Sequence, residues 1–231
     1  MRSHHLDMVK KVVQGLGDYH RAFIFIGGVI VDLYANHPAA PESRPTIDVD
    51  CIVEVTSLSQ YMELEATLRT RGFRHDTSDG APRCRWIYDD VIVDVIPTPY
   101  EDEFTNQWIE AGLSRAQTVQ LDGKSSAKIL PAPLFLATKL EAMKNRGLGD
   151  LRQSRDFDDI VFILLNRNTI VQEIRQEEKA VLTFIATQFH DLLETDVIDE
   201  AISAVLDPGE GSGTVKRVKE VMKEIQSLKE K

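Results

Sequence analysis

Apolar residues in the first half of the chain come in short runs and alternations; in the second half they recur with helical period. Leu6 to Leu16 carries an amphipathic helical stripe closed by Gly17. Arg21 to Ile26 is a short apolar run ended by Gly27-Gly28, which predicts a buried strand, and Val29 to Tyr34 reads as a helix opening at the double glycine. Three prolines between Asn36 and Pro45 predict a loop. From Thr46 to Val55 the side chains alternate, with Ile47, Val49, Cys51 and Val53 on one face and Asp48, Asp50 and Ile52 on the other. This is a strand whose polar face bears two carboxylates. Ser57-Leu58-Ser59-Gln60 is a capping-box pattern opening a helix that ends at Gly72. Arg83 to Tyr88 and Val91 to Ile96 read as a hairpin turned at Asp89-Asp90 and stopped by Pro97.

A short helix from Trp108 to Leu113 and a strand pair within Thr118 to Leu130, turned at Asp122-Gly123, close the first half. Beyond Pro133 the period is helical over Leu134–Asn145, Ser154–Leu165, Asn168–Arg175, Glu177–Leu193 and Val197–Leu206. Asp207 to Thr214 has the composition of a flexible linker, and Val215 to Leu228 carries one more apolar stripe. The expected fold class is α+β. Its organisation would be a mixed-sheet core with flanking helices over 1–131, a helical region over 132–206, a linker at 207–214 and an amphipathic helix over 215–231.

Composition narrows the class. The chain has 231 residues, of which 42% are hydrophobic and 28% charged, as in ordinary globular proteins, so disordered, collagenous and low-complexity classes are excluded. Acidic residues outnumber basic ones 37 to 27, a formal charge of −10, which disfavours broad coating of nucleic acid and suits an acidic site that takes up metal. Cys51 and Cys84 lack metal-ligand spacing and read as buried thiols. No apolar run approaches the ~20 residues that span a bilayer, and the N-terminus lacks the apolar core of a secretion signal. The expected location is the cytoplasm, with no membrane partner. His4-His5 reads as a frayed terminus or the remnant of an added tag.

Candidate chemistry lies in the order Gly27-Gly28, Asp48-Val49-Asp50, then Asp94 inside the apolar run Val91 to Ile96. Asp48 and Asp50 share a strand face. A lone carboxylate in an apolar strand, such as Asp94, is costly without a partner. Three converging carboxylates resist joint ionisation unless cations neutralise them, and hard oxygen donors suit Mg²⁺ or Mn²⁺. Two such ions can hold the attacking and leaving oxygens of a phosphoryl transfer. A double glycine at a helix start offers bare N–H groups to phosphate. By contrast, Gly123-Lys124-Ser125 mimics only the end of a P-loop, because Thr118 stands where its first glycine belongs.

This arrangement resembles the nucleotidyltransferase superfamily that includes DNA polymerase beta, on Phe25-Ile26-Gly27-Gly28, Asp48-Val49-Asp50 and Asp94. The loop between Gly28 and Asp48 is longer than in many members. A second block resembles the AbiEii/AbiGii toxin-type nucleotidyltransferases. It comprises Leu136 to Ala142, Arg146 and Ser154-Arg155-Asp156-Phe157-Asp158-Asp159-Ile160. The resemblance implies Asp48, Asp50 and Asp94 as catalytic residues holding two Mg²⁺ ions, and Gly27, Gly28, Lys139, Arg155, Asp156 and Asp159 as nucleotide-binding residues. It implies an NTP substrate, transfer of NMP to an acceptor that is a tRNA or other RNA end, a protein or a small molecule, and an antitoxin partner if the chain is one half of a toxin–antitoxin pair. A catalytically inactive nucleotide- or partner-binding protein is the competing class. On the residues alone, Lys139 equally reads as a surface lysine snorkelling past Leu136, Leu140 and Met143. Asp156, Asp158 and Asp159 equally read as helix-start acids favoured by the dipole.

Overall fold

In the computed structural model the described residues are 4–37, 39–98, 106–146, 149–207 and 209–230. Pro38 and Pro208, inside the expected loop and linker, lie outside them. The chain divides into two compact units, Met1–Leu33 with Pro45–Pro131, and Tyr34–Arg44 with Ala132–Lys231.

The first unit is built on seven strands: β1 (Phe23–Ile26), β2 (Asp48–Glu54), β3 (Arg74–His75), β4 (Arg85–Tyr88), β5 (Val91–Thr98), β6 (Gln117–Gln120) and β7 (Ser126–Ile129). They form one mixed sheet in the order β3-β4-β5-β2-β1-β7-β6. β2 runs parallel to β5, and β1 parallel to β7; the remaining pairs are antiparallel. The alternation that marked β2 holds: Val49, Cys51 and Val53 are buried, in register with Val93, Val95 and Pro97. Ile47 falls outside the strand and is 68% exposed. Helix α1 (His4–Leu16) buries Met8, Val9, Val12, Val13 and Leu16. Helices α2 (Leu58–Thr70) and α3 (Gln107–Leu113) are capped by the Ser57 and Asn106 side chains, which accept from Gln60 and Trp108 N–H.

Three local outcomes differ from the sequence expectation. The run after the double glycine is a 3₁₀ helix, Gly28–Tyr34, rather than an α-helix. The two-residue β3 was not anticipated. β5 continues through Pro97 to Thr98. The Val95 N–H points to the β4 side of the strand and donates to the C=O of Cys84, the residue before β4, at 2.8 Å. The Pro97 nitrogen, two residues on, points the same way, past the last residue β4 pairs. No ladder hydrogen bond is lost there.

The second unit contains α4 (Ala132–Asn145), α5 (Arg155–Asn166), α6 (Ile170–Arg175), α7 (Lys179–Leu193), α8 (Ile198–Val205) and α9 (Ser212–Gln226). α9 begins inside the segment read as linker, packs against α7 and buries Val215, Val218, Met222 and Ile225. The proline-rich segment 34–44 belongs with these helices. Tyr34 stacks on Phe135 at 4.6 Å, the Asn36 and His37 N–H groups donate to Asn166 C=O at 2.9 and 3.1 Å, and Arg167 Nη1 donates to Tyr34 C=O at 2.8 Å. Among the described residues no helix is long and apolar enough to cross a membrane.

Candidate active site

Strand register brings the three acidic side chains of the first unit together. Asp50 lies directly opposite Asp94 across the parallel β2–β5 pair, with Ile26 on its other side, and Arg85 faces Asp94 from β4. Asp48, two residues before Asp50, shares its face. Oxygens of Asp48, Asp50 and Asp94 lie within 4.8 Å of one another. Asp94 is buried, 8% exposed, and both its oxygens accept from Arg85, Nε to Oδ1 and Nη2 to Oδ2, each at 2.8 Å. Arg85 Nη2 is also 3.9 Å from Asp48 Oδ2, and Thr46 Oγ1 donates to Asp48 Oδ1 at 2.9 Å. The hydrogen bonds to Asp94 hold the guanidinium still further above its already high pKa. Arg85 thus pairs with Asp94 and approaches Asp48 on a half-buried face. On the opposite face, burial first and Asp50 and Asp94 next push the Cys51 thiol up, so it stays protonated and inert.

Gly27 is fixed by this cluster. Its φ is +79°, and a Cβ there would sit 1.9 Å from Asp50 Oδ2. Only glycine lets the backbone lie against that carboxylate. Gly28 opens the seven-residue 3₁₀ helix. The helix dipole offers a phosphate little here, because the run is 3₁₀ and lacks aligned α-helical peptides; the bare backbone of Gly27 remains.

Lys139, Asp156 and Asp159 form a second group, within the helical unit. Lys139 is buried, 8% exposed, so the snorkelling-surface reading is corrected. Its Nζ lies 2.6 Å from Asp159 Oδ2 and 3.2 Å from Asp156 Oδ1. Arg44 Nη2 donates to Asp159 Oδ2 at 3.0 Å. Its Nε stands 2.9 Å from Oδ1 as a charge contact without hydrogen-bond alignment. Arg146 pairs with Asp156. Ser154 Oγ caps α5 by accepting from Phe157 N–H at 3.2 Å, while Asp156 and Asp159 turn toward Lys139 and tie α5 to α4. A cavity of about 330 Å³ is lined by Met143, Arg146, Ser154, Arg155 and Asp156; the exposed Arg155 is the member of this block farthest from the buried pairs in character. A Lys139→Met variant leaves the fully buried Asp159 short of a counter-charge. It is expected to cost about 3–5 kcal/mol of stability, read as a lower midpoint in urea unfolding.

Asp158, next to this network, has its pKa pushed up to about 6 by burial and then by Asp159. A raised carboxyl pKa means the native state keeps a proton that the unfolded chain has released. Stability from this group therefore falls as pH rises from about 4 through 6. Solvent screening trims the effect to about 1 kcal/mol, because the side chain is only half-buried. Asp158→Asn is expected to raise Tm by roughly 2–4 °C at pH 7.5 and by nothing measurable at pH 4.

Two partners escaped the sequence. Arg85 was accessible in principle, since a hairpin turned at Asp89-Asp90 pairs Tyr88 with Val91 and hence Arg85 with Asp94. Arg44, on the proline-rich loop, carried no signal. His5 is no frayed end: it is 3% exposed. Its Nε2 accepts from Thr46 N–H at 3.3 Å, which leaves Nδ1–H to donate to Asp32 Oδ2 at 3.0 Å.

The chain matches no protein-family profile and no curated protein. It is similar to the crystal structure of a candidate nucleotidyltransferase from H. pylori, with a TM-score of 0.48 and 10% identity, over 98% of this chain and 95% of that one.

Proposed function

We propose that this chain is a Mg²⁺-dependent nucleotidyltransferase that moves NMP from an NTP to an acceptor hydroxyl and releases pyrophosphate. The observation that carries this reading is the convergence of Asp48, Asp50 and Asp94 on one sheet face. The donor set fits the ion: all three are hard carboxylates, and the softer Cys51 lies on the other face. Bound Mg²⁺ or Mn²⁺, as two ions, would supply charge neutralisation for the polyphosphate and the leaving group.

In this reading Asp48, Asp50 and Asp94 hold the ions, and Asp94 takes the proton of the acceptor hydroxyl. The acceptor oxygen bonds to the α-phosphorus as the bond from that phosphorus to the β-bridging oxygen breaks. Gly27 and Gly28 place bare backbone N–H groups against the phosphates, and Lys139, Arg155, Asp156 and Asp159 bind the nucleotide. Lys139 already contacts two carboxylates, with which a phosphate would compete, whereas Arg155 is exposed. The acceptor is an RNA end, a protein or a small molecule, and the toxin-type resemblance supports an antitoxin partner. Positioning and electrostatics supply the rate, since the protein does little covalent chemistry.

One observation favours the second reading, an inactive nucleotide-binding protein: Arg85 already satisfies both oxygens of Asp94. Incubation with Mg²⁺ and each α-³²P-labelled NTP in cell lysate separates the two. Label entering RNA, protein or a small molecule, and absent with a double Asp48→Asn, Asp50→Asn variant, supports transfer. Metal-dependent NTP binding with no label transferred favours the inactive protein.

A further inference from the structure

Arg85 stands where a divalent ion would compete with it. It occupies both oxygens of Asp94 in a two-pronged contact and reaches to 3.9 Å from Asp48. Each Asp94 oxygen keeps a second lone pair, but a divalent ion bound there would draw off the charge those hydrogen bonds depend on and would repel the guanidinium. The antiparallel register with β5 fixes the Arg85 backbone opposite Asp94, so the guanidinium leaves by rotating its side chain, and it leaves charged. A freed guanidinium one strand from the carboxylates has a planar fork of donors, the geometry that suits phosphate oxygens.

We propose that Arg85 is a resident counter-cation: it sits on Asp94 beside Asp48 in the metal-free protein, is displaced from Asp94 by a divalent ion, and then binds a phosphate of the incoming triphosphate. The proposal rests on the metal reading of Asp48, Asp50 and Asp94. In that role the exchange couples the two ligands, because metal binding releases the group that recognises polyphosphate. An Arg85 that served only to brace the hairpin would stay on Asp94 whether or not metal is present.

The test uses the full-length protein, with free Mn²⁺ followed by electron paramagnetic resonance. Inorganic tripolyphosphate, which carries no base, is then titrated by calorimetry at saturating Mn²⁺. Arg85→Met removes the cation while keeping side-chain bulk. It is expected to bind Mn²⁺ about tenfold or more tightly than the wild type, since an opposing charge beside the carboxylates is gone, and to bind tripolyphosphate more weakly. Arg85→Lys, which keeps the charge and loses the fork, is expected to fall between the two and guards against misfolding of the Met variant. A lower Tm in Arg85→Met without metal, restored by Mn²⁺, is the stability counterpart. Equal Mn²⁺ affinity in wild type and Arg85→Met overturns the exchange while leaving the metal site standing. Tighter Mn²⁺ with unchanged tripolyphosphate overturns the phosphate role. Mn²⁺ binding by neither protein overturns the proposal and the metal reading together.

Discussion

A double Asp48→Asn, Asp50→Asn variant is expected to lose nucleotidyl transfer by about a thousandfold or more, with Tm unchanged or raised. The two side chains share a strand face and lie within 4.8 Å of Asp94. Their amides keep the shape and part of the hydrogen bonding, including acceptance from Thr46 Oγ1, but bring no negative charge to a cation. Like charges this close repel one another, so neutralising two relieves strain on the native state. Stability and activity should therefore move in opposite directions, a pattern that ion pairs kept for folding do not give. Thermal melts beside the α-³²P transfer assay read both. A fully active variant would end the nucleotidyltransferase assignment, and an inactive one with a Tm lower by several degrees would recast the carboxylates as structural.

Gly27→Ala should have the largest effect on stability of any methyl-sized change in the first unit. At φ +79° an alanine pays the left-handed backbone penalty, about 1–2 kcal/mol. The added Cβ would sit 1.9 Å from Asp50 Oδ2, and relieving that clash moves either β1 or the carboxylate, at about 1–3 kcal/mol. A combined loss of about 2–5 kcal/mol lowers Tm by roughly 5–15 °C. Gly123→Ala is the control, since no atom lies within 4 Å of its Cβ; its Tm is expected to match the wild type. If Gly27→Ala melts like the control, the packing of Gly27 on Asp50 is not what the structure describes.

Local patterns carried the sheet and its acids, because alternation in β2 and the Asp in β5 are properties of a few adjacent residues. A two-residue turn at Asp89-Asp90 even implied the Arg85–Asp94 pair by counting back along the hairpin, which requires the register to be used and not only the strands recognised. What stayed hidden depends on distant partners. Lys139 has an apolar face around it in sequence, and its burial becomes intelligible only with Asp156 and Asp159 on a different helix. The run Val29 to Tyr34 is equally apolar as α or 3₁₀, so its hydrogen-bond pattern had no signature. Segment 34–44 looked like an insertion in the first half, yet Arg44 and Tyr34 find their partners at Asp159 and Phe135.

That excursion sets an order of events during synthesis. Tyr34, Asn36 and Arg44 leave the ribosome long before Phe135, Asp159, Asn166 and Arg167 are translated, a delay of several seconds to tens of seconds at roughly 5–20 residues per second. All seven strands can be complete while this segment still waits for the helices that receive it. A chain stopped after Pro131 would own the described sheet and yet lack Phe135, Asp159 and Asn166, partners of Tyr34, Arg44 and the Asn36 and His37 N–H groups. Removing the helical half is therefore not the subtraction of a module, because contacts of the 34–44 segment go with it.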